Sequence, residues 1–260
     1  MAKESSIRLK TGEEIERMRA ANQIVAEVLE LLRSKVAPGV STHELDRVSE
    51  QCCRDLGAVP AFKGYYGFPA SLCASVNEEV VHGIPSRKRV LRDGDIISLD
   101  FGALYQGFYG DAAITLPVGR ISERRALLLQ ITEESLYKGI EQAVAGNRID
   151  DISRAVQEHA EAAGFSIVRQ YVGHGIGTQL HEAPEVPNYR AGGKSSPRLL
   201  EGMVIAIEPM VNMGVYQVKT LDDHWTVVTE DRQPSAHFEH SVAITAAGPS
   251  ILSRKNASGT

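Results

Sequence analysis

The sequence predicts an α+β fold built from two similar halves, with helices in one layer over antiparallel strands. Two observations lead there. A long helix, a shorter helix and a pair of strands occur twice in the same order, and the apolar strand runs carry acids at corresponding places in both copies.

The first half opens with residues 11–35 (TGEEIERMRAANQIVAEVLELLRSK), where Ile15, Met18, Val25, Val28, Leu29 and Leu32 recur at helical spacing. Thr11 and Glu14 form a capping box, and Pro38-Gly39 stops the helix. A second helix starts at Ser41, with Glu44 as another capping box. It presents Leu45, Val48, Cys52 and Leu56 and ends at Gly57. The run RDGDIISLDFG follows as a strand, and alternation puts Ser98 and Asp100 on one face with Ile97, Leu99 and Phe101 on the other. Tyr105-Gln106-Gly107 is a turn signal, so GFYGDAAITL should return as a hairpin that brings Asp111 beside Asp100.

The second half repeats the pattern. Residues 122–145 read as a long helix stopped at Gly146, and 150–163 as a shorter one stopped at Gly164. Laying ELDRVSEQCCRDLG over DISRAVQEHAEAAG matches Leu45 with Ile152, Arg47 with Arg154 and Gly57 with Gly164, each pair 107 positions apart. RDGDIISLDFG lies over LEGMVIAIEPM, setting Gly94 on Gly202 and Asp100 on Glu208, both 108 apart. Ala206 and Glu208 then share a face opposite Ile205 and Ile207, and the next strand sets Glu239 against Asp111. The expected halves run over approximately 11–118 and 122–248 of one domain spanning residues 1–260.

Composition is that of an ordinary globular chain. Of 260 residues, 43% are hydrophobic and 23% charged, and the net charge of −5 supplies no basic field for nucleic acid or an anionic membrane. No run approaches membrane-spanning length and no signal peptide is visible. Cys52, Cys53 and Cys73 have no metal-type spacing, and the adjacent Cys52 and Cys53 read as reduced core residues of a cytoplasmic protein. The terminal RKNASGT is polar and reads as a frayed end, and a monomer is the default state.

Five side chains stand out against the apolar runs: Asp100, Asp111, His174, Glu208 and Glu239. A lone strand acid is more often a turn or edge residue. Four acids converging in an apolar setting repel one another unless cations neutralise them. An oxygen-rich set with one imidazole suits two divalent ions, Mn²⁺, Fe²⁺ or Co²⁺, with Zn²⁺ as a further candidate. A water bridging such ions becomes hydroxide near neutral pH and attacks a carbonyl, which makes a hydrolase the expected class. His82 (VVHGIP) and His181 (LHEAP) lie in similar settings and could donate to a tetrahedral intermediate or protonate a leaving nitrogen. His43, His159, His224, His237 and His240 read as structural.

VVHGIP, LDFG…GDAA, GHGIG followed by LHEAP, IEPMV and FEHSVAIT occur in this order over nearly the whole chain. The set resembles the methionine aminopeptidases of type I. The resemblance implies the duplicated "pita-bread" fold, with pseudo-twofold symmetry and a curved antiparallel sheet covered by helices. It implies metal ligands at Asp100, Asp111, His174, Glu208 and Glu239, with Asp111 and Glu239 bridging both ions. It also places His82 near the scissile nitrogen, His181 near the carbonyl oxygen, and Glu208 at the proton of the nucleophilic water. The family's methionine pocket falls on Tyr65, Phe68, Cys73 and Trp225. Phe62 and Leu180 stand at neighbouring wall positions where other residues are common. The short interval between His174 and Glu208 lacks the inserted subdomain of type II enzymes, and the chain opens almost directly on its first helix, without a zinc-finger extension.

The implied activity is removal of the initiator methionine from nascent polypeptides whose second residue is small, with the ribosome as a candidate partner. Two other readings share the fold: a proline-specific or creatinase-like hydrolase, and a binding protein that has lost catalysis.

Overall fold

The structure, a computed structural model, describes residues 7–190 and 196–255. The first half contains helices α1 (Gly12–Lys35) and α2 (Thr42–Asp55) and strands β1 (Val59–Pro60), β2 (Cys73–Val76), β3 (Glu79–Val81), β4 (Ile96–Tyr105) and β5 (Phe108–Pro117). The second contains α3 (Glu123–Glu141), α4 (Ile149–Ala162), β6 (Ser166–Ile167), β7 (Gly173–Gly175), β8 (Glu182–Val186), β9 (Val204–Ile207) and β10 (Met210–Asn212). It closes with β11 (Val218–Thr220), β12 (Val227–Thr229), β13 (Ser235–His237), β14 (Glu239–Thr245) and β15 (Gly248–Ile251).

Local signals set most of these boundaries. Thr11 accepts the backbone N–H of Glu14 while Glu14 accepts that of Thr11, so the expected capping box of α1 forms. On α2 only half of it forms: Ser41 accepts from the Glu44 N–H, with no return bond from the Glu44 side chain. The inward face of α2 is also shifted from the expectation. Leu45, Ser49 and Cys53 are buried, whereas Leu56, in the cap, is 41% exposed. Helix α3 stops short of residue 145, because the chain turns there and the Gly146 N–H bonds the Leu199 carbonyl.

The main sheet runs β1-β4-β5-β14-β9-β7-β8, so two long antiparallel strands from the first half meet their counterparts from the second at the β5–β14 seam. Strands β4 and β5 pair along their full length around Gln106-Gly107, both with positive φ (49° and 81°), the geometry of the tightest hairpin turn. Ile97, Leu99 and Phe101 turn into a core with α1 and α2, and Ile205 and Ile207 turn into another with α3 and α4. Burying each such side chain contributes about 1.5–3 kcal/mol, so two helix-backed cores hold the sheet while its opposite face stays free for polar groups.

Besides this apolar packing, one polar residue ties helix α1 to the back of β5. Asn22 is buried, donates to the Met18 carbonyl and accepts from the Asp111 N–H. This requires Gly110, since a Cβ there would lie 2.7 Å from the Asn22 nitrogen. At the start of the C-terminal tail, Arg254 and Lys255 are exposed but not without contacts: Arg254 lies over the Tyr137 ring and Lys255 pairs with Glu27 at 2.7 Å. Residues 256–260 lie outside the described residues. No described helix is long and apolar enough to cross a membrane.

Gly110→Ala should lift α1 from β5 and destabilise the protein by about 1–3 kcal/mol, the usual cost of overpacking. A lower urea midpoint with an unchanged m-value would show it.

Candidate metal centre

Strand register brings the acids together. Asp100 lies opposite Ala113 and Asp111 opposite Gly102, which puts both carboxylates on the same face of the hairpin. Glu239, the first residue of β14, lies opposite Ala113 as well. Glu208 directly follows β9, one step beyond the His240–Ile207 pair, and so faces Glu239 across that seam. Four neighbouring strands thus each supply one carboxylate to one face.

His174 reaches the same spot from β7, between two glycines that the packing demands. A Cβ at Gly173 would lie 2.3 Å from the Ala206 carbonyl oxygen, and one at Gly175 would lie 2.2 Å from that of Ala183. Only a glycine-flanked histidine fits so close between β8 and β9. One candidate ligand atom each from Asp111, His174 and Glu239 lie within 4.8 Å of one another, and all three residues are buried.

Electrostatics make this cluster unstable by itself. Oδ1 of Asp100, Oδ1 of Asp111 and Oε1 of Glu239 are buried with no hydrogen-bond partner. Burial is the first cause that pushes all four carboxyls up, Asp111 to about 7 and Asp100, Glu208 and Glu239 well above the usual carboxylate range. Neighbouring carboxylates are the next cause for Asp100, Glu208 and Glu239. Burial also drives His174 down to about 3, so its imidazole is neutral. Its Nδ1 lies 2.9 Å from the Gly175 carbonyl, so Nδ1 carries the hydrogen and Nε2 presents a lone pair. Orphaned acceptors around a bare imidazole lone pair fit divalent cations.

A cavity of about 200 Å³ adjoins the acids, lined by Asp100, Asp111, His174, Glu208 and Glu239 together with His82, His181, Tyr65, Phe68, Cys73, Trp225, Phe62 and Leu180. Every residue singled out in the sequence is therefore on one wall or another. Phe62, Phe68, Cys73 and Leu180 belong to one buried apolar cluster, and Phe68 meets Trp225 edge to face. Tyr65 does more than form wall: its hydroxyl lies 2.9 Å from His181 Nδ1 and orients that ring. Tyr66, also on the lining, is 86% exposed at the mouth.

The two further histidines are held differently. His82 has φ +59°, a left-handed conformation that costs free energy in a non-glycine residue and turns its ring between Tyr171 and Trp225. Burial lowers its pKa to about 4. His181 sits at the rim, and packing on its inner side lowers its pKa too. Its loop is anchored by Glu182, which accepts from the buried Lys10 ammonium at 2.8 Å and from the Gln179 N–H.

Two residues beyond the expected set belong here. Tyr171, in the YVGHGIG run, packs on His82. His237, read from the sequence as structural, is buried with its Nε2 3.7 Å from Glu208 Oε2. Its place in SAHFEHS two residues before Glu239 was the available signal. His159 pairs with Glu134 across α3 and α4, and His240 bonds Ser253.

A profile of metallopeptidase family M24 matches residues 16–246. The chain is 54% identical to the methionine aminopeptidase of Clostridium acetobutylicum over 94% of this chain and 97% of that one. It is 55% identical to methionine aminopeptidase 1 of Bacillus subtilis over 94% and 98%. Its fold matches the crystal structure of methionine aminopeptidase from Thermotoga maritima with TM-score 0.93 at 45% identity, covering 96% of this chain and all of that one. The prolidase of Pyrococcus furiosus is more distant, with TM-score 0.78 at 25% identity; the chain covers 66% of it.

Adding Mn²⁺ or Co²⁺ should raise the melting temperature, by the equivalent of about 2.7 kcal/mol at a hundredfold excess over Kd. Carboxyls bind cations only when deprotonated and those of this cluster have raised pKa values, so the gain should be smaller at pH 5.5 than at pH 7.5. Asp100→Asn removes one of the repelling charges. It should raise the melting temperature of the metal-free protein and shrink the metal-induced gain, both readable by calorimetry.

Proposed function

Since the chain belongs to metallopeptidase family M24, we propose that it is the metallo-aminopeptidase that removes the initiator methionine from nascent chains whose second residue is small. The observation that carries this reading is one small cavity in which an apolar, sulfur- and aromatic-lined slot ends on a cluster of buried acids. At about 200 Å³ it offers room for one large side chain, in keeping with an exopeptidase.

On this reading Asp100, Asp111, His174, Glu208 and Glu239 would hold two divalent ions, Mn²⁺, Fe²⁺ or Co²⁺ with Zn²⁺ as a further candidate. Cations bound there activate a water and polarise the peptide carbonyl. Phe68, Cys73, Trp225 and Tyr65 seat the methionine side chain, with Phe62 and Leu180 completing the wall. Glu208 takes the proton of the attacking water. With Tyr65 donating to Nδ1, His181 directs an Nε2–H toward the developing oxyanion, and His82, neutral and turned inward, serves the leaving nitrogen. The two halves, about 11–118 and 122–248, act as repeats of a single catalytic domain spanning residues 1–260, each supplying one pair of acids across the β5–β14 seam. We place the enzyme in the cytoplasm as a monomer, acting on polypeptide N-termini as they leave the ribosome.

With Mn²⁺ or Co²⁺, cleavage of Met-Ala-Ser should exceed that of Ala-Pro peptides, and the reverse preference would refute the methionine reading in favour of the prolidase-like one. His181→Ala should lower kcat roughly 10²–10⁴-fold, the scale of lost acid-base or oxyanion help, in steady-state assays on Met-Ala-Ser.

A further inference from the structure

Glu208 stands between two imidazoles that offer it opposite things. Its Oε1 lies 3.6 Å from Nε2 of His174 and its Oε2 lies 3.7 Å from Nε2 of His237. His174 cannot donate to it, because its hydrogen sits on Nδ1 toward the Gly175 carbonyl. That side of Glu208 faces the cluster of acids. His237 is unlike it in each respect. Its Nε2 is buried and has no hydrogen-bond partner.

The backbone of His237 is also held in place from behind. Thr115 of β5 accepts the His237 N–H at 2.9 Å and donates to its carbonyl at 2.7 Å, and Ser98 of β4 bonds Thr115 at 2.8 Å. Strand β13 adds its pairing with β10, where His237 lies opposite Met210. A fixed backbone and a buried ring leave the Glu208 carboxylate as the part free to adjust. A small rotation of it closes the gap to hydrogen-bond length.

We propose that His237 is a positioning residue: its Nε2–H holds Oε2 of Glu208, leaving Oε1 turned toward the cation position beside His174. This rests on the reading of the five acid and histidine side chains as a cation site. The hydrogen is available, since an imidazole always carries at least one N–H, and Nε2 is the buried nitrogen left without a partner. The bond satisfies an otherwise orphaned nitrogen and orients a ligand through its second oxygen.

The test compares wild type with His237→Leu, which removes the donor, and His237→Gln, which keeps an amide N–H at similar reach. Metal-free proteins are titrated with Mn²⁺ by calorimetry, and kcat and KM are measured on Met-Ala-Ser. His237→Leu should weaken Mn²⁺ binding roughly 10–100-fold and lower kcat with little change in KM, the usual effect of losing a partner behind a metal ligand. His237→Gln should recover most of both. If His237→Leu does not fold, His237→Asn, whose amide is too short to reach Oε2, takes its place. Wild-type Mn²⁺ affinity in the donor-lacking variant would overturn the role, as would equal losses in both substitutions. A change confined to KM and second-residue preference would also overturn it and make His237 a substrate wall. Wild-type protein that bound no Mn²⁺ would overturn the cation site itself and this role with it.

Discussion

Four carboxyl groups gathered side by side on one face of the sheet, Asp111 and Glu239 buried and Asp100 and Glu208 nearly so, set the terms for the rest of the structure. Each costs several kcal/mol to bury charged and unpaired, and together they repel, which is why burial and neighbouring acids push them up. Such a cluster persists only if the surrounding fold holds it against relaxation. The two helix-backed cores do this, with Ile97, Leu99 and Phe101 under one helix pair and Ile205 and Ile207 under the other. The apolar face of each strand stabilises the sheet, and the polar face carries the groups that would otherwise disrupt it.

The site is assembled by backbone geometry more than by side-chain reach. Short acids on adjacent strands converge because their register puts them on one face, and His174 joins them because glycines on either side let β7 approach its neighbours. Asn22 ties α1 to the strand directly behind Asp111, and Thr115 ties β13 to β5. These short connections fix the backbone beneath the carboxylates, which suits a site preorganised for cations.

The apolar slot depends on loops that are fastened individually. Asp46 accepts the N–H groups of Ser71 and Leu72, at the end of the segment that carries Phe62, Tyr65 and Phe68. Asp223 accepts those of Trp225 and Thr226. The Lys10–Glu182 pair straps the loop of His181 to the N-terminal segment. Side chains that line the slot are thus placed by Asp46, Asp223 and the Lys10–Glu182 pair, of which only Glu182, in LHEAP, belongs to a motif visible in the sequence.

The amino-acid sequence by itself determined the α+β class, the long helices with their caps, the β4–β5 hairpin and the identity of the acids, because each is written in local spacing: apolar residues at helical intervals, alternation along strands, Gln106-Gly107 at the turn. The motifs around His174, Glu208 and Glu239 also determined the family. It did not determine the inward face of α2, where neighbouring helix and sheet decide whether Leu56 or Cys53 is buried. Nor did it distinguish His237 from the other histidines left as structural, since a neutral buried ring and an exposed one look alike in sequence. Only the tertiary structure decided that the β5–β14 seam joins the two halves, that Tyr65 orients His181, and that His237 faces Glu208. These contacts link residues more than a hundred positions apart or depend on how β13 packs, and no local pattern encodes which strand edges meet.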